Sequence, residues 1–156
     1  MNTETQIGKL LLQKGLKIST TESCTGGLLS SKLTDVSGSS AYITLNLTTY
    51  ANEAKERMLG VKLNSEGAVS ENCSYQMAKG LCDLTKSDIC VSTTGIAGPT
   101  GGTKEKPVGL MYSTIYTDKK FKNYKIQVDP NLSRENIKEQ FTQRVLENIL
   151  EFLKEL

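Results

Sequence analysis

The strongest constraint on this chain is an order of alternation: short runs of β-compatible residues end in glycine- or hydroxyl-rich turns, and helical patterns follow them. Leu16 to Thr21 reads as a first strand that empties into Glu22–Gly27, ESCTGG, and a helix is expected over Cys24–Leu33. The pattern then repeats. Ala41–Tyr50, free of glycine and proline, suits a strand, and Asn52–Leu59 a helix closed by Gly60. A further helix runs from Glu71, after Ser70, through Leu84, and Asp88–Thr94 is a short strand opening into the loop Gly95–Pro107. Before the first strand, Ile7, Leu10, Leu11 and Leu12 give Thr3–Lys14 a helical stripe stopped at Gly15. Gly109–Tyr116 and Phe121–Val128 form a hairpin around Thr117–Lys120.

The last segment, Ser133–Leu156, carries Ile137, Phe141, Val145, Ile149 and Leu153 at four-residue spacing, a stripe for the core or a subunit interface. We expect a homo-oligomer. At 156 residues the chain suits one domain, 1–156. Its expected class is α/β, a three-layer α/β/α sandwich on a mixed, mostly parallel sheet.

Composition removes several chemistries. The chain has no histidine, so neither a Ser-His-Asp triad nor a Cys-His dyad can be built within one subunit. A general base must be lysine, tyrosine or a carboxylate. Cys24, Cys73, Cys82 and Cys90 form no CxxC pair, which argues against a zinc site and a disulfide framework, and fits a reducing cytoplasm. No metal and no cofactor are expected. A net charge of +2 with interspersed signs gives no nucleic-acid footprint, and no run reaches membrane-spanning length or makes a signal peptide.

Three segments that follow strands, Thr20–Gly27, Tyr50–Lys55 and Thr93–Pro107, belong at one edge of the sheet. They bring together Ser23, Cys24, Tyr50, Lys55 and Thr94 with a glycine-rich loop. Ser23 as nucleophile with Lys55 as base is the simplest complete set, and Cys24 is the rival nucleophile. Amides at the start of the helix, near Thr25 and Gly26, would hold an oxyanion. Plainer roles stand beside these: Ser23 or Thr25 as a helix cap, Cys24 as a small core residue, Lys55 as a solvated partner of Glu53 or Glu56, Tyr50 as a core tyrosine. The Gly95–Pro107 loop is no P-loop, because Thr103 stands where GxxxxGK[ST] requires its second glycine after Gly98.

The ordered motifs ESCTGG, GSSAY, YANEAK, LGV, GAVSE, MAKG, TGIAGPTGG and KPVG resemble the C-terminal domain of the competence and damage-inducible protein CinA, densely from Thr20 to about Gly109. Active members of that family are nicotinamide mononucleotide deamidases of pyridine nucleotide salvage. The resemblance implies a metal-independent amidohydrolase acting on a small nucleotide, with Ser23 as nucleophile, Lys55 and Tyr50 beside it, Thr94 before the GIAGP loop, and Arg134 near the last helix start. Substrate contacts are then expected from Cys24, Thr25, Gly26, Gly27, Thr94, Gly95, Gly98, Gly101, Gly102 and Arg134. The chain resembles the stand-alone form, without the N-terminal domain of longer members. It departs from the pattern at Leu45 and Asn46, where Gly-Gly is usual. Larger side chains there would crowd a backbone approach to ligand, which favours the alternative of a catalytically weak, nucleotide-binding regulatory module.

Overall fold

The computed structural model describes residues 1–156. Five strands, β1 (Ile18–Glu22), β2 (Ile43–Thr48), β3 (Ile89–Gly95), β4 (Leu110–Tyr116) and β5 (Phe121–Gln127), form one sheet in the order β2-β1-β3-β4-β5. β1 pairs in parallel with β2 and β3, whereas β3–β4 and β4–β5 are antiparallel. Four of the five strands therefore share one direction and β4 alone opposes them, the mixed, mostly parallel sheet expected.

Helices α1 (Thr3–Lys14), α2 (Leu28–Thr34) and α5 (Arg134–Lys154) cover one face; α3 (Asn52–Leu59) and α4 (Glu71–Thr85) lie over the other. The division follows from strand periodicity. Ile89 and Val91 of β3 join a core with Ile7, Leu11, Leu29 and the α5 stripe, while Cys90 between them joins Leu59, Cys73, Met77 and Leu81. All five stripe residues of α5, from Ile137 to Leu153, are 0% exposed, so the stripe is core of this chain. Each such side chain contributes about 1.5–3 kcal/mol of transfer free energy. α3 sits tightly on α4 at Gly80, where a Cβ would fall 2.1 Å from the Leu59 carbonyl oxygen. No helix is long and apolar enough to cross a membrane.

Two differences from expectation bear on the site. The second helix starts at Leu28, not Cys24, because Gly26 and Gly27 hold φ of 60° and 100°, left-handed values that no α-helical turn contains. β2 is shorter than Ala41–Tyr50: Ala41 ends a 3-10 turn, Tyr42 packs into the core, and Thr49 and Tyr50 have left the sheet. Both changes widen the turn region in which Ser23 and Tyr50 sit.

Candidate active site

Ser23 follows β1 directly, and Lys55 lies in the first turn of α3, which the chain enters after leaving β2. Lys55 is 1% exposed and its Nζ donates to three oxygens: Tyr50 O at 2.7 Å, Thr49 O at 2.8 Å and Ser23 Oγ at 3.0 Å. Three acceptors match the three protons of an ammonium. A neutral amine would keep both carbonyl bonds and turn its lone pair to the Ser23 hydroxyl, the arrangement a general base needs. Burial pushes the Lys55 pKa below the ordinary lysine value. Lys55 has no carboxylate partner; Glu53 pairs instead with Arg57 at 2.9 Å. The solvated-lysine role is thereby removed.

Ser23 is held from below. The Glu22 carboxylate, 0% exposed, accepts from Thr25 Oγ1, Gly27 N and Leu29 N on one oxygen and from Ser30 N and Oγ on the other, at 2.5–3.2 Å. It therefore fills the start of α2 with an internal anion. Because the Thr25 proton goes to Glu22, the Thr93 hydroxyl donates to Thr25 Oγ1 at 2.9 Å, and the Thr93 oxygen receives the Ser23 N–H at 3.2 Å.

This wiring revises the expected oxyanion donors. The Gly26 N–H is taken by Ser23 O at 3.1 Å, so of the pair Thr25 and Gly26 only the Thr25 amide has no acceptor in the chain. The Cys24 amide also has no acceptor in the chain. The Cys24 side chain belongs to the core, and burial raises its thiol pKa to about 12, which leaves no thiolate to act as nucleophile at neutral pH.

Beside the dyad lies a cleft of about 210 Å³ lined by Cys24, Tyr50, Gly95, Ile96, Ala97, Gly98, Thr100, Gly101 and Arg134. Arg134, the first residue of α5, donates to Gly98 O at 2.6 Å and to the Tyr50 hydroxyl at 3.1 Å, closing the mouth between loop and tyrosine. Tyr50 is 58% exposed and not a core residue; its carbonyl serves Lys55 while its ring faces the cleft. The volume is below the usual range of about 300–1,000 Å³ for ligand pockets. A wider concavity of about 470 Å³, lined by Glu71, Tyr75, Gln76 and Phe121, holds no nucleophile–base pair.

The remaining expected contacts divide. Thr25, Gly26 and Gly27 border an adjoining groove with Lys138. Thr94 donates to Ala68 O at 2.7 Å and does not line the cleft, and Gly102 lies against Val108 outside it. Leu45 and Asn46 sit within β2, where they pair with Ser19 and Thr20, and Asn46 Oδ1 accepts from Thr20 Oγ1 at 2.8 Å. Neither lines the cleft, so they do not crowd it. Sequence reasoning missed Glu22, Thr49 and Thr93. The available signal for Glu22 was a carboxylate placed between a β-type run and a glycine-rich helix start. No group of three or more Cys, Asp and Glu side chains converges to hold a metal ion.

Comparisons with known proteins give a consistent result. The sequence model of the CinA C-terminal domain family matches residues 1–153. A putative competence-damage inducible protein of Caldanaerobacter subterraneus subsp. tengcongensis is 50% identical over 129 residues, 81% of this chain and 31% of that protein. A protein of the same description from Clostridium perfringens strain 13 is 42% identical over 156 residues, 97% of this chain and 36% of that protein. The chain thus spans about a third of the length of these curated relatives. Among solved structures, a competence-damaged protein (CinA) superfamily protein from Klebsiella pneumoniae 700603 superimposes with a TM-score of 0.91 at 27% identity, covering 100% of both chains. The competence/damage inducible protein CihA from Agrobacterium tumefaciens gives 0.88 at 34% identity, covering 99% of this chain and 97% of that one.

Proposed function

The chain belongs to the CinA C-terminal domain family, and from that premise we propose that it is an amidohydrolase that converts nicotinamide mononucleotide to nicotinate mononucleotide and ammonia. The observation that carries the proposal is the buried contact of Lys55 Nζ with Ser23 Oγ, with two carbonyls holding the amine in place. In the first half-reaction neutral Lys55 takes the Ser23 proton and Oγ attacks the carboxamide carbon. The oxyanion is held by the amides of Cys24 and Thr25. Lys55 then returns the proton to the leaving nitrogen, ammonia departs, and the pyridine acyl group remains on Ser23 as an ester. In the second half-reaction Lys55 takes a proton from water, hydroxide attacks the ester carbon, and the proton passes to Ser23 Oγ as the carboxylic acid leaves and gives its own proton to solvent.

The pyridine ring suits the glycine-lined cleft, and Arg134 at the mouth, whose guanidinium retains unused donors, suits the phosphate. The test is to incubate purified protein with nicotinamide mononucleotide, measure ammonia and identify the nucleotide product. Ammonia no greater than that from a Ser23→Ala control ends the proposal.

A further inference from the structure

The sheet contains several buried hydroxyl pairs, and one of them stands at the site. Ser19 meets Ser87 at 2.7 Å and Ser74 meets Thr114 at 2.9 Å, both between segments that backbone pairing or packing already fixes. Thr21 Oγ1 and Thr49 Oγ1 meet at 2.7 Å, with both residues buried, under different conditions. The β1–β2 ladder ends at the pair Glu22 and Thr48, so Thr49 lies one residue beyond the last strand-to-strand register. From there the chain presents two consecutive carbonyls, Thr49 O and Tyr50 O, to Lys55 Nζ. Thr21 is two residues before Ser23. The hydroxyl pair therefore ties the strand that delivers the nucleophile to the segment that holds the base.

We infer that Thr21 and Thr49 are positioning residues, a hydroxyl clamp that fixes the Thr49–Tyr50 carbonyls against Lys55 and so holds its amine within reach of Ser23. Neither hydroxyl touches the reacting atoms; the clamp acts through main-chain placement. It rests on the Ser23–Lys55 reading of the site only for its effect on turnover, because its effect on Lys55 exists whether or not the protein hydrolyses the nucleotide.

The titratable side chains that act on Lys55 are the thiols of Cys24, on the Ser23 turn, and Cys73, on α4; both are protonated at neutral pH because burial raises their pKa values to about 12 and about 11. No carboxylate lies within ion-pairing distance of Nζ. The carbonyl acceptors favour the ammonium form, so a looser hold on them shifts Lys55 titration to lower pH.

Thr21→Val with Thr49→Val is the informative double variant, since valine keeps the shape of threonine and removing both partners strands neither hydroxyl. The measurements are thermal midpoint, the Lys55 titration followed by NMR on lysine labelled with carbon-13 at Cε and assigned with Lys55→Arg, and kcat and KM for nicotinamide mononucleotide across pH. The expected result is a nearly unchanged thermal midpoint, a Lys55 titration moved to lower pH, and kcat reduced about tenfold or more at similar KM, as for a small displacement of a catalytic group. Thr49→Ser alone, which keeps both hydroxyls of the pair, keeps the wild-type titration and kcat. Should the double variant fail to fold, Thr21→Ala, with room for water beside Thr49 Oγ1, carries the same measurements. A titration midpoint and kcat equal to wild type overturn the clamp. If the wild-type protein releases no ammonia, the amidase reading falls instead, and the Lys55 titration still decides the clamp.

Discussion

Replacing Glu22 by glutamine isolates the anion that holds the Ser23 turn. Of the five donors on Glu22, three reach Oε1 and two reach Oε2. Glutamine is best placed with its carbonyl oxygen at the Oε1 position, keeping Thr25, Gly27 and Leu29 as donors. Its NH2 group then faces Ser30, whose hydroxyl can reverse and accept but whose N–H cannot. The half-buried Ser30 amide thus loses its acceptor, at about 1–3 kcal/mol, and the surviving bonds lose their charge assistance. The sum is about 3 kcal/mol, a large part of the ~5–15 kcal/mol that holds a typical domain folded. At about 2–4 °C per kcal/mol for a chain of this size, Tm should fall by roughly 6–12 °C in differential scanning calorimetry. Glu53→Gln is the control, because its partner Arg57 is 77% exposed and such pairs contribute about 0–1 kcal/mol. A Glu22→Gln protein melting within about 2 °C of wild type, a shift no larger than the control's, would refute the argument that this carboxylate organises the turn.

Ser23→Ala should abolish ammonia release while leaving the circular dichroism spectrum and Tm near wild type; near-normal turnover would remove Ser23 from the chemistry. Cys24→Ala should retain most activity, since its thiol stays protonated at neutral pH, and an inactive but folded variant would return Cys24 to contention. The proposed route requires neutral Lys55, so a pH–rate profile should rise with pH, with its limb below the ordinary lysine pKa of about 10.4 because burial lowers the Lys55 value. Lys55→Arg should lose about 10²–10⁴ in kcat, because guanidinium cannot accept the proton; retention of most activity would move the base to Tyr50 or a carboxylate. Activity should survive chelators, and loss restored by a divalent ion would contradict a metal-free route.

Much of this protein was legible in one dimension because the deciding interactions are local. The alternation of periods two and 3.6 set the elements, the α5 stripe announced its buried face, and the absence of histidine left lysine as the natural base beside Ser23. The start of α2 was misplaced because the TGG pattern permits a helix, and only the left-handed backbone at Gly26 and Gly27 excludes one. That Thr93 rather than Thr94 reaches the Ser23 turn depends on contacts across 68 to 70 residues of sequence, whereas the Gly26 amide is taken within the turn by Ser23 O. Lys55 joins near and distant partners: Thr49 O and Tyr50 O lie six and five residues upstream, and Ser23 Oγ lies 32 residues away. Nothing in NEAKER distinguishes a solvated lysine from a buried one, because its environment is made by carbonyls at the end of a neighbouring strand and by packing of α3 on Gly80 of α4. Sequence supplied the functional groups and their order along the chain; the tertiary structure decided their desolvation and hydrogen-bond partners, since both arise from distant segments meeting at one sheet edge.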